Sequence, residues 1–408
     1  MSEVKTDLKI DLNNLDKSNW KTYRFDEIAK NISKRVDPNN TDLTVYIGLE
    51  HIDSESLHIK RHGTPDDVNG TKLRFYKGDI IFGRRRAYQR KAGIATWDGF
   101  CSAHALVLRA NPDVIDPELF PFFLHSDLFM NRAVDISVGS LSPTINWGTL
   151  KHQEFLLPPK NLQKRIATLF WDSEEVIKSE LKAKEKLEII LDAEIEFKIH
   201  GEQLEGKTIN QVIENIKKQK STSKLKEMGE IFKGKGITKS EVTEDGIPCV
   251  RYGELYTKHH RIIRSYCSFI NNTSASKAIK LKQNDVLFAG SGETIKEIGK
   301  SAAFIDSEEV YAGSDILIFR PHDMDGVYAG YLMNSLLVRY QLNKFGTGAT
   351  VMHVYGSDIE KIVVPKIDKE EQLKISLYLE KISQNISSLT RKIDATNSLK
   401  ESIINKVF

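Results

Sequence analysis

The longest hydrophobic pattern in this chain lies near the C-terminus and is typical of a coiled-coil helix. From Gln372 to Val407, apolar side chains recur at alternating steps of three and four residues, and no proline or glycine interrupts the run. The regular positions are Ile375, Leu379, Ile382, Ile386, Leu389 and Ile393, continued by Leu399, Ile403 and Val407. This spacing keeps one apolar stripe facing a partner helix. We therefore predict a long helix over residues 368–408.

An earlier stretch, residues 161–199, repeats this pattern in a less regular form. Its apolar positions are Ile166, Phe170, Ile177, Leu181, Leu187, Leu191 and Ile195. Each stretch follows an apolar strand that stops at proline, Pro158 in the first copy and Pro365 in the second. Proline cannot continue a strand ladder, and Asn161 and Asp368 are good N-caps for the helices that follow. Two such helices indicate a duplication.

The segments before the helices are duplicated as well. Gly78-Asp79-Ile80-Ile81 recurs as Asn284-Asp285-Val286-Leu287, and other short motifs recur in the same order. In each half, short strands come before the helical stretches, which favours an α+β fold with a largely antiparallel sheet. The predicted order is a first globular domain (1–160), a long helix (161–199), a polar linker (200–224), a second globular domain (225–367) and a second long helix (368–408).

Composition adds limits to this picture. The 408 residues are 40% hydrophobic and 28% charged, enough for two or three cores. No apolar run approaches the roughly 20 residues of a membrane helix, and the first residues lack the apolar core of a signal peptide. Cys101, Cys249 and Cys267 are odd in number and have no metal-ligand spacing, which favours reduced thiols in a cytoplasm. The net charge of +3 is too small to identify a partner.

The sequence offers no convincing catalytic centre. The segment 290–296 contains glycines and a lysine but lacks the Walker spacing that cradles phosphate. Leu157-Pro158-Pro159 lacks the asparagine and aromatic residue of the amino-methyltransferase tetrapeptide, and the histidines and acids have no metal-ligand spacing. We therefore expect a chain with no catalytic residue, metal or cofactor of its own.

Positive charge is concentrated in one loop directly after a predicted strand. The loop contains Arg84, Arg85, Arg86, Tyr88, Gln89, Arg90 and Lys91. Arginine forms paired hydrogen bonds with guanine, glutamine does so with adenine, and both also contact phosphates. Half or more of protein–DNA hydrogen bonds go to the backbone, so only one or two of these residues would read bases. We predict that this loop contacts DNA; a solvated hairpin tip is the alternative.

The equivalent loop of the second half has unrelated chemistry, with Ser291, Glu293, Thr294 and Lys296. One scaffold with two loop chemistries is typical of two readers of different base sequences, although a functionless duplicate would also diverge. Further candidates for DNA contact are the basic residues of one segment, Lys258, His259, His260, Arg261 and Arg264, with Ser140 and Thr144 in one turn and Thr347 and Thr350 in another. The glycine-rich turns either bring backbone amides against phosphate or are simply tight turns.

With this order of motifs, the chain resembles the specificity subunits of type I restriction-modification systems over nearly its whole length. The resemblance rests on the repeated Gly/Asn-Asp strand motif, the turn Gly346-Thr347-Gly348, and the helix starts Pro158 with Gln163 and Pro365 with Gln372. The first copy departs from the family pattern in two ways. It has Val138-Gly139-Ser140 at the turn, and it lacks the glutamate that precedes glutamine in the second copy.

The resemblance implies that each globular half is a target recognition domain that reads one part of a split DNA site. It implies that the helices pack as an antiparallel coiled coil and set the spacer between the half-sites. Partners would be two modification (methyltransferase) subunits and restriction (translocase/nuclease) subunits, which would carry S-adenosylmethionine, ATP and Mg²⁺. Glu174, Glu175, Lys178 and Lys182 would face these subunits or only solvent. The alternative is a coiled-coil scaffold whose two α+β domains bind protein or glycan.

Overall fold

The computed structural model describes residues 15–201, 206–219, 222–292, 299–345 and 352–408. The chain divides into two compact units, residues 1–182 with 390–408 and residues 183–389. Each unit contains one α+β domain together with part of each long helix, which confirms the predicted fold class. Elements are numbered below in chain order.

Within residues 15–159, the first domain contains ten strands and four short α-helices before the first long helix. The strands are β1 (Lys21–Arg24), β2 (Ala29–Asn31), β3 (Arg35–Val36), β4 (Tyr46–Ile47), β5 (Lys72–Phe75), β6 (Ile80–Gly83), β7 (Ala92–Ile94), β8 (Gly99–Cys101), β9 (Ala105–Ala110) and β10 (Glu154–Leu157). The helices are α1 (Phe25–Ile28), α2 (Phe120–His125), α3 (Asp127–Asp135), α4 (Trp147–Leu150) and the long α5 (Lys160–His200). Two sheets form, in the orders β2-β9-β6-β7 and β3-β5-β8-β4, and β1 pairs with β10. These pairs are antiparallel except β4 with β8.

The second unit contains fourteen strands among its described residues. They are β11 (Thr222–Lys224), β12 (Gly229–Lys233), β13 (Val242–Thr243), β14 (Ile247–Val250), β15 (Arg261–Ile262), β16 (Ser268–Ile270), β17 (Ile279–Lys280), β18 (Val286–Ala289), β19 (Ser291–Gly292), β20 (Ser301–Ala303), β21 (Tyr311–Ala312), β22 (Ile316–Pro321), β23 (Met352–His353) and β24 (Val363–Pro365). Its helices are α6 (Ile209–Gln219), α7 (Glu254–Thr257), α8 (Asn272–Ala275), α9 (Gly326–Met333), α10 (Leu336–Phe345), α11 (Gly356–Ile359) and the long α12 (Lys369–Val407). The sheets have the orders β12-β22-β18-β20-β15 and β13-β16-β14-β21-β17, with the pairs β11-β24 and β19-β23.

The central strands of both domains are buried on both faces. In β6, Ile80 and Phe82 join one core cluster and Ile81 joins another. In β18, Phe288 and Leu287 are divided between two clusters in the same way. Successive side chains of a strand point to opposite faces. Burial of both faces therefore explains why these strands are continuous apolar runs in the sequence.

The aspartate of the repeated motif holds the same structural position in both halves. Asp79 accepts two hydrogen bonds from Arg109, at 2.7 and 2.9 Å, and one from the backbone of Tyr76 at 2.8 Å. Asp285 accepts two from Arg320, at 2.8 and 2.7 Å, and one from the backbone N–H three residues before it at 2.8 Å. The motif therefore encodes a buried carboxylate, paired with a partly exposed arginine, that fixes the start of the central strand.

The glutamine near the start of each long helix is also explained by buried contacts. Gln163 accepts a hydrogen bond from the backbone N–H of Asp116 at 2.7 Å and donates to the carbonyl oxygen of Pro158 at 2.8 Å. Gln372 accepts from Asp325 at 2.9 Å and donates to Ile367 at 2.8 Å. In both copies the amide fastens the helix start to the domain that precedes it.

The two helices pack antiparallel, as expected. Within the first unit, Phe170 near the start of α5 shares a buried cluster with Ile404 near the end of α12. Within the second unit, Ile195 near the end of α5 shares a cluster with Ile375 near the start of α12. Opposite ends of the two helices therefore meet in each unit.

Several helix predictions need correction. Leu181 and Leu399 are exposed. Beside Leu181, the inward position is taken by buried Glu180, which pairs with Lys392 at 2.5 Å. Helix α5 begins at Lys160, so Asn161 lies inside its first turn and not at the cap. Asp368 does cap α12, accepting a hydrogen bond from the backbone of Glu371 at 2.9 Å.

The predicted outward face of α5 is correct only in part. Glu174 points inward and pairs with Lys400 of α12 and with His58, whereas Glu175, Lys178 and Lys182 are exposed. The inward turn is favoured because Lys400 supplies an opposite charge that is itself largely buried. Three of the four predicted positions therefore remain available at the surface.

The segment interpreted as a linker contains helix α6 and strand β11. Val212 and Ile216 of α6 are buried against Leu337 of α10, and β11 pairs with β24. This segment is therefore folded onto the second domain within residues 206–219 and 222–224. Among the described helices, none combines the length and apolar character needed to cross a membrane.

Candidate nucleic-acid interface

The arginine-rich loop after β6 has a defined backbone conformation. A short 3-10 turn, Ala87–Gln89, is flanked by Arg86 with φ 57° and Arg90 with φ 50°. The left-handed region is disfavoured for residues with a side chain and costs of order 1 to 3 kcal/mol each. The backbone N–H of Arg86 donates to the carbonyl oxygen of Pro143 at 2.7 Å, which helps to hold this conformation. The surrounding structure therefore fixes the direction in which the arginines project.

Two of the predicted DNA contacts anchor the loop. Arg90 lies 2.8 Å from Asp127 and 3.3 Å from Glu55, and it donates to the carbonyl oxygen of His125 at 3.0 Å. Lys91 donates to the carbonyl oxygen of Leu49 at 2.7 Å. Burial lowers the pKa of His125 to about 4, so its ring is neutral beside Arg90 at physiological pH. Arg90 and Lys91 therefore position the loop.

The cations that remain at the surface are Arg85 and Arg86. Both guanidinium groups donate to the hydroxyl of Ser142 at 3.3 Å, and Tyr88 beside them is 54% exposed. Arg84 is half-buried, and its Nε is buried without a hydrogen-bond partner. Gln89 is also half-buried. The predicted loop thus separates into an exposed part and a supporting part.

A second segment, the turn over residues 138–144, joins the same surface. Thr144 pairs through its backbone with Arg85 and with Val138, and its hydroxyl donates to the carbonyl oxygen of Ser142 at 3.1 Å. Ser140 is exposed at the tip, where neighbouring Leu141 is 91% exposed. The resulting surface, here called the arginine surface, consists of Arg85, Arg86, Tyr88, Ser140 and Leu141.

The second domain brings the corresponding segments together. Ser291, two residues after β18, pairs with His353, and its hydroxyl lies 3.1 Å from Nδ1 of that histidine. Tyr256 donates a hydrogen bond to the carbonyl oxygen of Ser291, and the ammonium group of Lys300 lies 5.8 Å from the tyrosine ring centre. Beside them opens a cleft of about 610 Å³. The predicted contacts Glu293, Thr294, Lys296, Thr347 and Thr350 lie outside the described residues.

The other basic candidates of the second half include exposed residues and residues that form ion pairs with the long helices. Lys258 and His260 are exposed. Arg261 pairs with Asp192 of α5 at 2.6 Å, and Arg264 makes two hydrogen bonds to Glu380 of α12, at 2.7 and 2.8 Å. These arginines hold the domain against the long helices, and their charge is already balanced by carboxylates.

Sequence reasoning did not single out several residues of these surfaces. Ser142, Tyr256, Lys300 and His353 enter only through contacts between segments distant in the sequence. The turn residue Ser142 had one usable signal, its place beside Gly139-Ser140 in a glycine-containing turn. The other three have no local signal that distinguishes them from ordinary surface residues.

The model of a protein family described as "Type I restriction modification DNA specificity domain" matches residues 17–189 and 217–397 of the chain. The EcoDI type I restriction enzyme specificity subunit of Escherichia coli is 29% identical over 159 residues, which is 38% of this chain and 35% of that protein. The HindI specificity subunit of Haemophilus influenzae is 23% identical over 182 residues, covering 43% and 40% respectively. The matched segments thus span well under half of these curated relatives.

Two solved structures are similar over nearly the whole chain. A chain from a structural study of assembly and conformational transition in the type I R-M system aligns with a TM-score of 0.59 and 19% identity, covering 96% of this chain and 97% of that one. The type I restriction-modification S subunit from M. genitalium aligns with a TM-score of 0.58 and 14% identity, covering 97% and 98%. At these identities the alignments support the two-domain, two-helix fold.

Proposed function

We propose that this chain, which belongs to the family of type I restriction modification DNA specificity domains, selects the DNA sequence on which a type I complex acts. Each globular domain would read one part of a split site. The observation that carries the proposal is the arginine surface, where two exposed guanidinium groups, a tyrosine and a turn lie together on a fixed backbone. The scaffold alternative has no comparable support.

The arrangement of the arginine surface suits contact with duplex DNA. Arg85 and Arg86 each donate one hydrogen bond to the hydroxyl of Ser142. Their remaining N–H groups can donate to phosphates or to guanine. Ser140 adds a small hydroxyl at the turn tip, which can donate to a phosphate oxygen. In the second domain, Ser291 and His353 occupy the matching position with a hydroxyl and an imidazole. The two domains would therefore read different bases from one common scaffold.

The long helices would serve as the spacer and as the docking face for the modification subunits. In the second unit, Ile189, Ile190 and Leu377 expose large apolar side chains on these helices, with Leu377 at 74%. In the first unit, Leu181 and Leu399 are similarly exposed. Clustered exposed apolar residues mark protein interaction sites. Methyl transfer, ATP-driven translocation and cleavage would belong to the partner subunits in the cytoplasm, together with S-adenosylmethionine, ATP and Mg²⁺.

The DNA proposal is tested by replacing Arg85 and Arg86 together with alanine. Because both residues would contact the backbone or a base edge, we expect weaker binding and a salt slope reduced by about 0.9 for each phosphate that is no longer neutralised. Binding is measured by fluorescence anisotropy over a salt series, with the assembled complex and DNA that contains its methylation site. The matched control is Lys34→Ala with Arg35→Ala, an exposed pair in the same domain that removes the same charge.

The control separates a local contact from a general charge effect. Equal weakening in the two double variants would mean that the arginine surface has no special role. Unchanged affinity and slope in the Arg85→Ala, Arg86→Ala chain would overturn the assignment of this surface to DNA.

The docking proposal is tested with Leu377→Ser. Burial of this leucine against a partner would contribute about 2 kcal/mol, so we expect reduced recovery of the modification subunit when the tagged chain is pulled down. Lys374→Ser, a change at an exposed residue one turn earlier on α12, should recover it normally. Equal recovery with both variants would remove Leu377 from the docking face.

A further inference from the structure

Three side chains able to bind a metal lie together in the second unit, in and beside the segment that also carries Tyr256, Lys258 and His260. Glu254 begins α7, His259 follows that helix, and Cys267 directly precedes β16. One potential ligand atom from each residue lies within 4.8 Å of the other two. The group combines a carboxylate, an imidazole and a thiol. The cysteine is separate from the other two residues in sequence, so the fold brings the three together.

Both carboxylate oxygens of Glu254 accept hydrogen bonds from neighbouring groups. Its Oε1 accepts hydrogen bonds from Arg251, at 3.1 Å, and from the hydroxyl of Ser268. Its Oε2 accepts a hydrogen bond from the backbone N–H of Arg251 at 3.3 Å and lies 3.5 Å from Nε2 of His259. Metal-binding carboxylates are commonly oriented in this way by a second layer of hydrogen bonds. The side chain is thus held with Oε2 directed toward the imidazole.

His259 supplies the second, independent observation. Its side chain is 3% exposed, and Nε2 is buried with no acceptor in hydrogen-bonding geometry, the nearest being Oε2 of Glu254 at 3.5 Å. Buried polar atoms almost always have a partner, and leaving one unsatisfied costs about 1 to 3 kcal/mol. A cation between Nε2, the glutamate oxygen and the cysteine sulfur would satisfy this nitrogen.

We propose that Glu254, His259 and Cys267 bind one zinc ion. Zinc accepts this set of ligands, at about 2.3 Å from sulfur and about 2.0 to 2.2 Å from nitrogen and oxygen. Ligands at these distances lie roughly 3 to 4 Å apart, which is close to the observed 3.5 Å separation of Nε2 and Oε2. On binding, the thiol releases its proton to solvent, and the thiolate and carboxylate together balance the charge of the ion. Because Cys267 is exposed, water has access to the fourth position.

The ion would tie the segment over residues 254–259 to strand β16. That segment carries exposed Lys258 and leads into Arg261, which pairs with α5. The zinc would therefore fix the loop between the sheet and the long helix. The inference does not depend on DNA binding, and the two can fail separately.

The proposal is tested with the full chain, stripped of metal by a chelator and titrated with Co²⁺ as a spectroscopic substitute for Zn²⁺. We expect saturation at one equivalent, visible bands of a four-coordinate ion, and a near-ultraviolet thiolate-to-cobalt band that Zn²⁺ abolishes by competition. Cys267→Ser should remove the thiolate band, and His259→Gln should weaken Co²⁺ binding at least tenfold. The controls are Cys101→Ala, a thiol of the other unit, and His260→Gln, the neighbouring imidazole; both should bind Co²⁺ normally.

Circular dichroism checks that each variant is folded. Because Cys267 is exposed, its serine variant is expected to keep the wild-type spectrum. A thiolate band that persists in Cys267→Ser, or Co²⁺ uptake that does not saturate at one equivalent in the wild-type chain, would overturn the proposal.

Discussion

At the scale of single residues, Asp79 and Asp285 show what the repeated strand motif is for. Each carboxylate is almost completely buried and is paired with one arginine from the neighbouring strand. Breaking a buried pair leaves an uncompensated charge and is strongly destabilising. The aspartate present in both copies therefore stabilises the fold. The loops after these strands differ between the copies.

Asp285→Asn is expected to destabilise the second unit by about 2 to 4 kcal/mol, because the amide cannot balance Arg320 and its NH₂ group faces another donor. The measurement uses the full chain in a urea series. Hydrogen exchange of the β18 backbone amides gives the urea midpoint at which this strand opens. Asp323→Asn, whose side chain is 82% exposed, should change stability by less than about 0.5 kcal/mol. Identical midpoints for the two variants would contradict a stabilising role of the ion pair.

At the scale of elements, the long helices are fastened by polar contacts as well as by their apolar stripe. In the first unit, Glu174 of α5 pairs with Lys400 of α12 and with His58. Burial raises the pKa of Glu174, but His58 and Lys400 outweigh it and lower the value to about 2. The carboxylate therefore stays charged between the helices across the physiological range.

The pKa of Glu174 predicts a pH-dependent stability of the first unit. Because the folded pKa is lowered from the ordinary 4.5 to about 2, the pair stabilises fully above pH 4.5 and loses its effect as the pH falls toward 2. We expect Glu174→Gln to cost about 1 to 2 kcal/mol at pH 7 and almost nothing near pH 2. Urea unfolding at several pH values measures this, with exposed Glu175→Gln as the control. A difference from wild type that is constant with pH would be inconsistent with this linkage.

At the scale of the whole molecule, the two halves share the contacts that stabilise the fold and differ in the segments that follow their central strands. The aspartate–arginine pair, the glutamine at the helix start and the strand pairs β1-β10 and β11-β24 occur in both halves. The segment after the central strand is arginine-rich in one half and begins with Ser291 in the other. This division of roles suits a protein that holds two different readers on one frame.

Inserting seven residues after Lys182 and seven after Leu389 is expected to change the recognised DNA site. Two added helical turns lengthen each helix by about 10 Å and keep the apolar stripe in register. At about 3.4 Å for each base pair, the unread gap should grow by about three base pairs. Mapping of methylated bases in cells that contain the modification partner measures the gap. An insertion in α5 alone is the control and should reduce stability; an unchanged gap in the double insertion would refute the spacer role.

Local periodicity determined much of the fold from sequence alone. Heptad spacing predicted both long helices, and apolar runs such as Ile80-Ile81-Phe82 predicted the central strands, because both patterns depend on neighbours a few residues away. The order of repeated motifs also predicted the two-domain duplication. The same reasoning placed Leu181 and Leu399 in the helix seam, where their neighbours Glu180 and Lys400 form ion pairs with the partner helix instead.

Only the tertiary structure decided what individual side chains do. Arg85 and Arg90 look equivalent in sequence, yet the first is exposed at the turn and the second is neutralised by Asp127 and Glu55. The grouping of Glu254, His259 and Cys267 likewise depends on a strand folding back beside a short helix. Charge balance, burial and ligand geometry arise between residues distant in the chain, so no local pattern specifies them.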